Sequence, residues 1–93
     1  MTRATVIVKR LPGHREPYDE RKLYASIYAS CLAVRAPVGS AEITAERICS
    51  LLKDWLAERH EVTAADIRRV AADHLTVYHP DAAYLYKHHR LTI

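Results

Sequence analysis

The sequence predicts an α+β fold: a four-helix bundle capped by a small two- to three-stranded sheet. Three observations predict it. A β-branched opening, Val6-Ile7-Val8, runs into a Pro12-Gly13 turn. Four later segments repeat apolar residues at helical spacing. The breaks between those segments are short, so the helices must pack antiparallel on one another.

The first element is a strand-turn-strand over residues 5–18. Thr5 to Arg10 is strand-like, and Arg15 to Tyr18 pairs back across the turn. Proline presets φ there and glycine supplies a positive φ. Asp19 stands where a helix N-cap belongs, and the first helix is expected over 19–35. Leu23, Ile27 and Cys31 recur at every fourth position, with Tyr24, Tyr28 and Leu32 beside them. Pro37-Val38-Gly39 ends this helix. Ser40 is expected to cap the second, over 40–59, with Ala45, Ile48, Leu52, Trp55 and Leu56 along one stripe. Trp55 reads as a core anchor, while Glu46, Lys53 and Glu58 fall on the wet side. Val62 offers a third short strand. Thr63 caps a third helix, 64–78, with Asp66 at N3 where Glu or Gln is usual in a capping box. Ile67, Val70, Ala71 and His74 share one face of it. His79-Pro80-Asp81 is the next break, and Pro80 suits the first turn of a fourth helix, 80–90, which carries Tyr84, Leu85 and His88.

Composition bounds the function. The chain has 93 residues, enough for a single domain, 1–93. With 49% hydrophobic residues it can bury a core, but a small one. A net charge of +3 mildly favours anionic partners and falls short of a dedicated nucleic-acid binder. Neither a long apolar run nor a leader pattern is legible, so the expected location is the cytoplasm, with no membrane partner. Cys31 and Cys49 fall in separate helices among apolar neighbours and are expected as buried free thiols.

Catalytic and metal motifs find no anchor. The adjacent His88 and His89 would point about 100° apart on a helix, and no HExxH or CxxC accompanies the histidines, so no metal site is expected. No Ser-His-Asp or Cys-His arrangement is legible, and no enzyme is expected. With Gly13 and Gly39 as the two glycines, a P-loop is excluded. Phosphate contacts must then come from side chains and helix ends. The stretch from Val6 to Leu23 gathers such parts: the cations Lys9 and Arg10, the carboxylates Glu16 and Asp19, and a helix N-terminus.

The string Val6-x-Val8-Lys9-Arg10-x-x-Gly13-x-x-Glu16-x-Tyr18-Asp19-x-x-Lys22-Leu23 resembles the opening of the ATP-cone family. That family is the regulatory nucleotide-binding module of many ribonucleotide reductases and of the repressor of reductase genes. Its opening typically reads V-x-K-R-[D]-G-x-x-E-x-[FY]-[DN]-x-x-K-[IL]. Val62-Thr63 with Asp66-Ile67 is similar to the family's V-T-x-x-[DE]-I helix start. Ala83-Tyr84-Leu85-Tyr86-Lys87-x-x-Arg90 is similar to its closing A-Y-x-x-Y-R-x-x-R, with one residue fewer between the tyrosines. The resemblance covers residues 5–90. It implies a helical bundle under a three-stranded sheet that binds ATP or dATP in the pocket between them; Mg2+ is expected with the triphosphate because its charge exceeds what Lys9, Lys22 and Arg68 neutralise.

Carried over by position, the resemblance makes Val8 a pocket wall and Lys9 and Arg10 phosphate ligands. Glu16 and Asp19 would read the adenine and its surroundings; Asp19, often Asn in the family, can only accept. Lys22 and Leu23 open the first helix, Leu23 packing on the base. Thr63 to Arg68 would sit near the phosphates, aided by the helix dipole. Three positions depart from the family pattern. The Leu11-Pro12-Gly13 turn is one residue longer than Asp-Gly. Ala64 follows Thr63 where a second hydroxyl is common. Arg68 stands where reductases carry a group that senses sugar or phosphate, so it is expected to strengthen phosphate binding and blunt discrimination of ATP from dATP.

The expected function is that of a stand-alone, non-catalytic adenine-nucleotide sensor whose output is its own oligomeric state or a regulated protein partner. The alternative is a small basic nucleic-acid-binding module using Arg3, Lys9, Arg10, Arg15, Arg21 and Lys22, which predicts steep salt dependence.

Overall fold

The computed structural model describes residues 6–8, 15–59 and 61–88. Helix α1 spans Glu20–Ala33, α2 Val38–Leu56, α3 Ala64–Tyr78 and α4 Pro80–His88. Each helix packs on its neighbour in the chain, and α4 closes on α1, so the four form a ring. The core lies inside that ring. Leu23, Ile27 and Cys31 of α1 meet Ala45, Ile48 and Leu52 of α2, Ile67, Ala71 and Leu75 of α3, and Ala82 and Tyr86 of α4. Each fully buried leucine or isoleucine contributes roughly 2 kcal/mol of transfer free energy. Small residues fill the rest of the seam. Ser26 and Ser30 are buried in α1, where their hydroxyls donate to the carbonyls of Lys22 and Ser26, both at 3.0 Å.

The expected α+β fold with a sheet capping the bundle is corrected: the fold is helical. Three strands are described, β1 (Val6–Val8), β2 (Arg15–Pro17) and β3 (Glu61–Thr63), each only three residues long. β1 lies between the others, antiparallel to β2 and parallel to β3. This ribbon is not seated across the helices. Among the described residues, its substantial helix contact is that of β3 with α3, the helix it runs into. In β3, Val62 joins the core, between exposed Glu61 and Thr63. A strand of three residues places one or two side chains on each face, too little apolar area to form a layer.

Helix ends follow local chemistry. Asp19 caps α1, accepting from the Arg21 N–H at 3.0 Å. Thr63 and Asp66 form the reciprocal capping box of α3, Thr63 Oγ1 accepting from Asp66 N–H at 3.0 Å and Asp66 Oδ2 from Thr63 N–H at 3.3 Å. Three expected boundaries move. α1 ends at Ala33 instead of 35, because Arg35 adopts a left-handed backbone, φ 63°. The Arg35 N–H then donates to the Leu32 carbonyl at 2.9 Å and the Ala36 N–H to that of Cys31 at 3.0 Å, the Schellman pattern. α2 begins at Val38, with Pro37 rather than Ser40 at the N-cap position and no side-chain cap, and ends at Leu56 rather than 59. Trp55 is only partly buried; Arg59 covers its ring, guanidinium 4.4 Å from the centroid. The anchor of α2 is instead the smaller stripe Ala41, Ala45, Ile48, Cys49 and Leu52.

Candidate functional site

The first half of the candidate site is built by the lead into α1. Pro17, Tyr18, Asp19, Glu20, Arg21 and Lys22 line an open hollow of about 400 Å³. Asp19 holds its place because its Oδ1 accepts from both the N–H and Nε of Arg21, the latter at 3.3 Å. The Arg21 side chain, then its backbone N–H, holds the carboxyl below the usual carboxylate range. Both contacts fall on one oxygen, so the group keeps acceptor capacity for a donor in the hollow. Lys22 is exposed on the same wall. Leu23 is not on that wall: it is fully buried in the bundle core.

The second half is the head of α3. The β1–β3 register sets Val8 opposite Thr63, the N-cap residue. Thr63 N–H bonding, above all, holds the Asp66 carboxyl low, so the cap is charged at neutral pH. Arg68, one turn on, is half-buried, and its Nε has no hydrogen-bond partner. Glu16 registers with Ile7 in the middle of the ribbon. Lys9 and Arg10 lie outside the described residues. β1 thus runs from Val6, opposite Pro17 just before Asp19, to Val8, opposite Thr63. Two residue steps cover roughly 7 Å, so one short strand separates the heads of α1 and α3. Asp19 and Lys22 share one wall; at the other head Val8 registers with Thr63, and Arg68 follows within α3.

The sequence reading passed over the groups between these heads. Tyr18 and Tyr86 each bury a hydroxyl with no hydrogen-bond partner. Burial, first of all, pushes both phenols up, and each feels the other or Arg68 electrostatically. Cys49 faces the same region, its Sγ donating weakly to the Glu20 carbonyl at 3.9 Å. Burial, and then the Glu20 charge, pushes its thiol up to about 12. The missed signal was spacing. With Pro80 opening α4, Ala82, Ala83 and Tyr86 form the inward i, i+3/i+4 stripe, whereas Tyr84 is 62% exposed.

Cys31 and Cys49 are free and buried, as expected. Among the described residues no group of three or more His, Cys, Asp or Glu is placed to hold a metal ion, and no helix is long and apolar enough to cross a membrane. No family model, curated protein or solved structure matches the chain.

Proposed function

We propose that this chain is a non-catalytic adenine-nucleotide binding module that regulates a partner or its own oligomeric state. The observation that supports this reading most is the hollow at the head of α1, where Asp19 and Lys22, nominated from sequence, share one wall. The hollow, of about 400 Å³, is open and lined by one continuous stretch, residues 17–22. Asp19 accepts from the adenine amino group or a ribose hydroxyl, and Lys22 neutralises phosphate charge. The N-terminus of α3, behind Thr63, offers N–H groups and a favourable dipole end for phosphate. ATP or dATP is taken with Mg2+, because the triphosphate charge exceeds what Lys9, Lys22 and Arg68 neutralise. The output is a population shift between assemblies, driven by the nucleotide's preference for one of them. Val77, Tyr84, Val38 and Ile43 are exposed apolar residues available to such a contact.

The test is titration calorimetry with ATP, dATP and ADP, with molecular size measured in each state. A hundredfold excess of ATP over its Kd stabilises the fold by about 2.7 kcal/mol, raising Tm by about ten degrees or more. No shift with either ATP or dATP removes the reading. Binding of DNA or RNA that collapses between low and moderate salt replaces it with the nucleic-acid alternative.

A further inference from the structure

Six large apolar side chains are exposed among the described residues: Leu32, Val38, Ile43, Val77, Tyr78 and Tyr84. Scattered singly they would be ordinary. They are not scattered. Leu32 sits in the last turn of α1, Val38 and Ile43 in the first half of α2, Val77 and Tyr78 at the end of α3, and Tyr84 in the middle of α4. Strands β2 and β3 lead into the heads of α1 and α3. The ends of those two helices, where α2 and α4 begin, therefore lie away from the strands and from the hollow beside Asp19.

A ring contact joins two of these helices. Ile43 precedes Arg47 by one turn of α2, so the two share a face. The Arg47 guanidinium lies 5.6 Å from the centroid of the Tyr78 ring. Val77, 78% exposed, follows on from Tyr78, and Ile43 is 54% exposed. Ile43, Arg47, Tyr78 and Val77 thus run across α2 and the end of α3 as one strip.

Charge sets this end apart. Residues 27–47 and 72–84 hold four carboxylates, Glu42, Glu46, Asp73 and Asp81, against two guanidinium groups, Arg35 and Arg47, a net −2. All six are exposed. The whole chain carries +3, so the remainder carries +5. Glu42 and Glu46 flank Ile43 on α2, and Asp73 stands one turn before Val77 on α3. An apolar strip with an acidic rim complements a segment that is apolar on one face and cationic at its margins. A second copy docking by the same face would set −2 against −2. A nucleic acid or an anionic lipid surface meets the same repulsion.

We propose that this strip takes an amphipathic basic helix of a partner protein. Its apolar side chains rest on Ile43, Val77 and Tyr78, and its lysines and arginines face Glu42, Glu46 and Asp73. The surface stands independently of the nucleotide reading.

The experiment uses the full chain without nucleotide. A fluorescent peptide of leucine and lysine at helical spacing is titrated by anisotropy, beside a counterpart with glutamate in place of lysine. The leucine–lysine peptide binds, and the leucine–glutamate peptide does not. Ile43→Ser with Val77→Ser weakens binding about tenfold or more; both positions are exposed, so the fold is kept. Glu46→Lys with Asp73→Lys weakens it about threefold or more. Asp54→Lys with Glu58→Lys, the same charge change made at the other end of α2, weakens it less. Equal binding of the two peptides overturns the proposal, as does no binding of either. So does an affinity that the two serines leave unchanged, or an equal loss from the two lysine pairs. A concentration-dependent dimer that the two serines dissolve assigns the strip to a second copy and overturns the basic partner.

Discussion

At the scale of the residue, the clearest conflict between side chain and backbone is Arg35. It holds φ 63°, a conformation that glycine adopts freely and an arginine does not. The Schellman bonds of Arg35 and Ala36 enforce it, since they satisfy two of the last carbonyls of α1. Arg35→Gly relieves the Cβ strain, worth roughly 1–2 kcal/mol, and gives back roughly 0.5–1 through the freer unfolded chain. The net expectation is a gain of about 0.5–1 kcal/mol, read as a Tm several degrees higher in a thermal melt. An unchanged or lower Tm would mean that the arginine side chain repays the strain by a contact. No sequence rule pointed here, because the usual signal for this cap is a glycine and the nearest one, Gly39, stands beyond the break. Asp19, Thr63 and Asp66 were legible for the opposite reason: a cap residue acts on backbone two or three positions away, so its chemistry is local.

At the scale of the element, α3 is the helix whose start is most fully specified. Its capping box satisfies orphan donors from both directions, and β3 runs straight into it with Val62 buried as an anchor. Thr63→Ala removes the acceptor for Asp66 N–H and costs about 1 kcal/mol, or a Tm lower by several degrees. Thr63→Ser keeps the hydroxyl and restores most of that stability. If both variants melt alike, the cap contributes nothing. The helices were legible because each carries its period within a few turns: Leu23, Ile27 and Cys31 are all fully buried. The sheet was overestimated because strand character is also local but a layer is not. Val6 to Val8 reads as β whether or not it lies across a core, and only the packed chain shows that it pairs with its neighbours rather than with the helices. Trp55 was misplaced in a similar way. Its spacing fits the apolar stripe, but the stripe is wider than the interface, and Arg59 shields the exposed edge.

At the scale of the whole molecule, the ring of helices closes over groups that stay neutral only while it stays closed. Tyr18, Tyr86 and Cys49 all have their ionisation pushed up, chiefly by burial. In the unfolded chain the thiol ionises near 9 and the phenols near 10. In the native chain Cys49 holds its proton to about 12 and the two phenols hold theirs well above their ordinary value. The sign follows directly. Below pH 9 both states are protonated at these groups, and the stability they confer is fully present. As pH rises past 9, the unfolded chain binds fewer protons than the native one, so stability falls and continues to fall toward pH 12. The expected behaviour is a cooperative alkaline unfolding in that window. It is checked by following phenolate absorbance and helical circular dichroism on one sample. Tyr18 and Tyr86 ionise only as the helical signal collapses, and Tyr18→Phe with Tyr86→Phe moves the collapse to higher pH. Phenolate absorbance that reaches its full amplitude while the helices persist would mean that these hydroxyls reach solvent in the native fold.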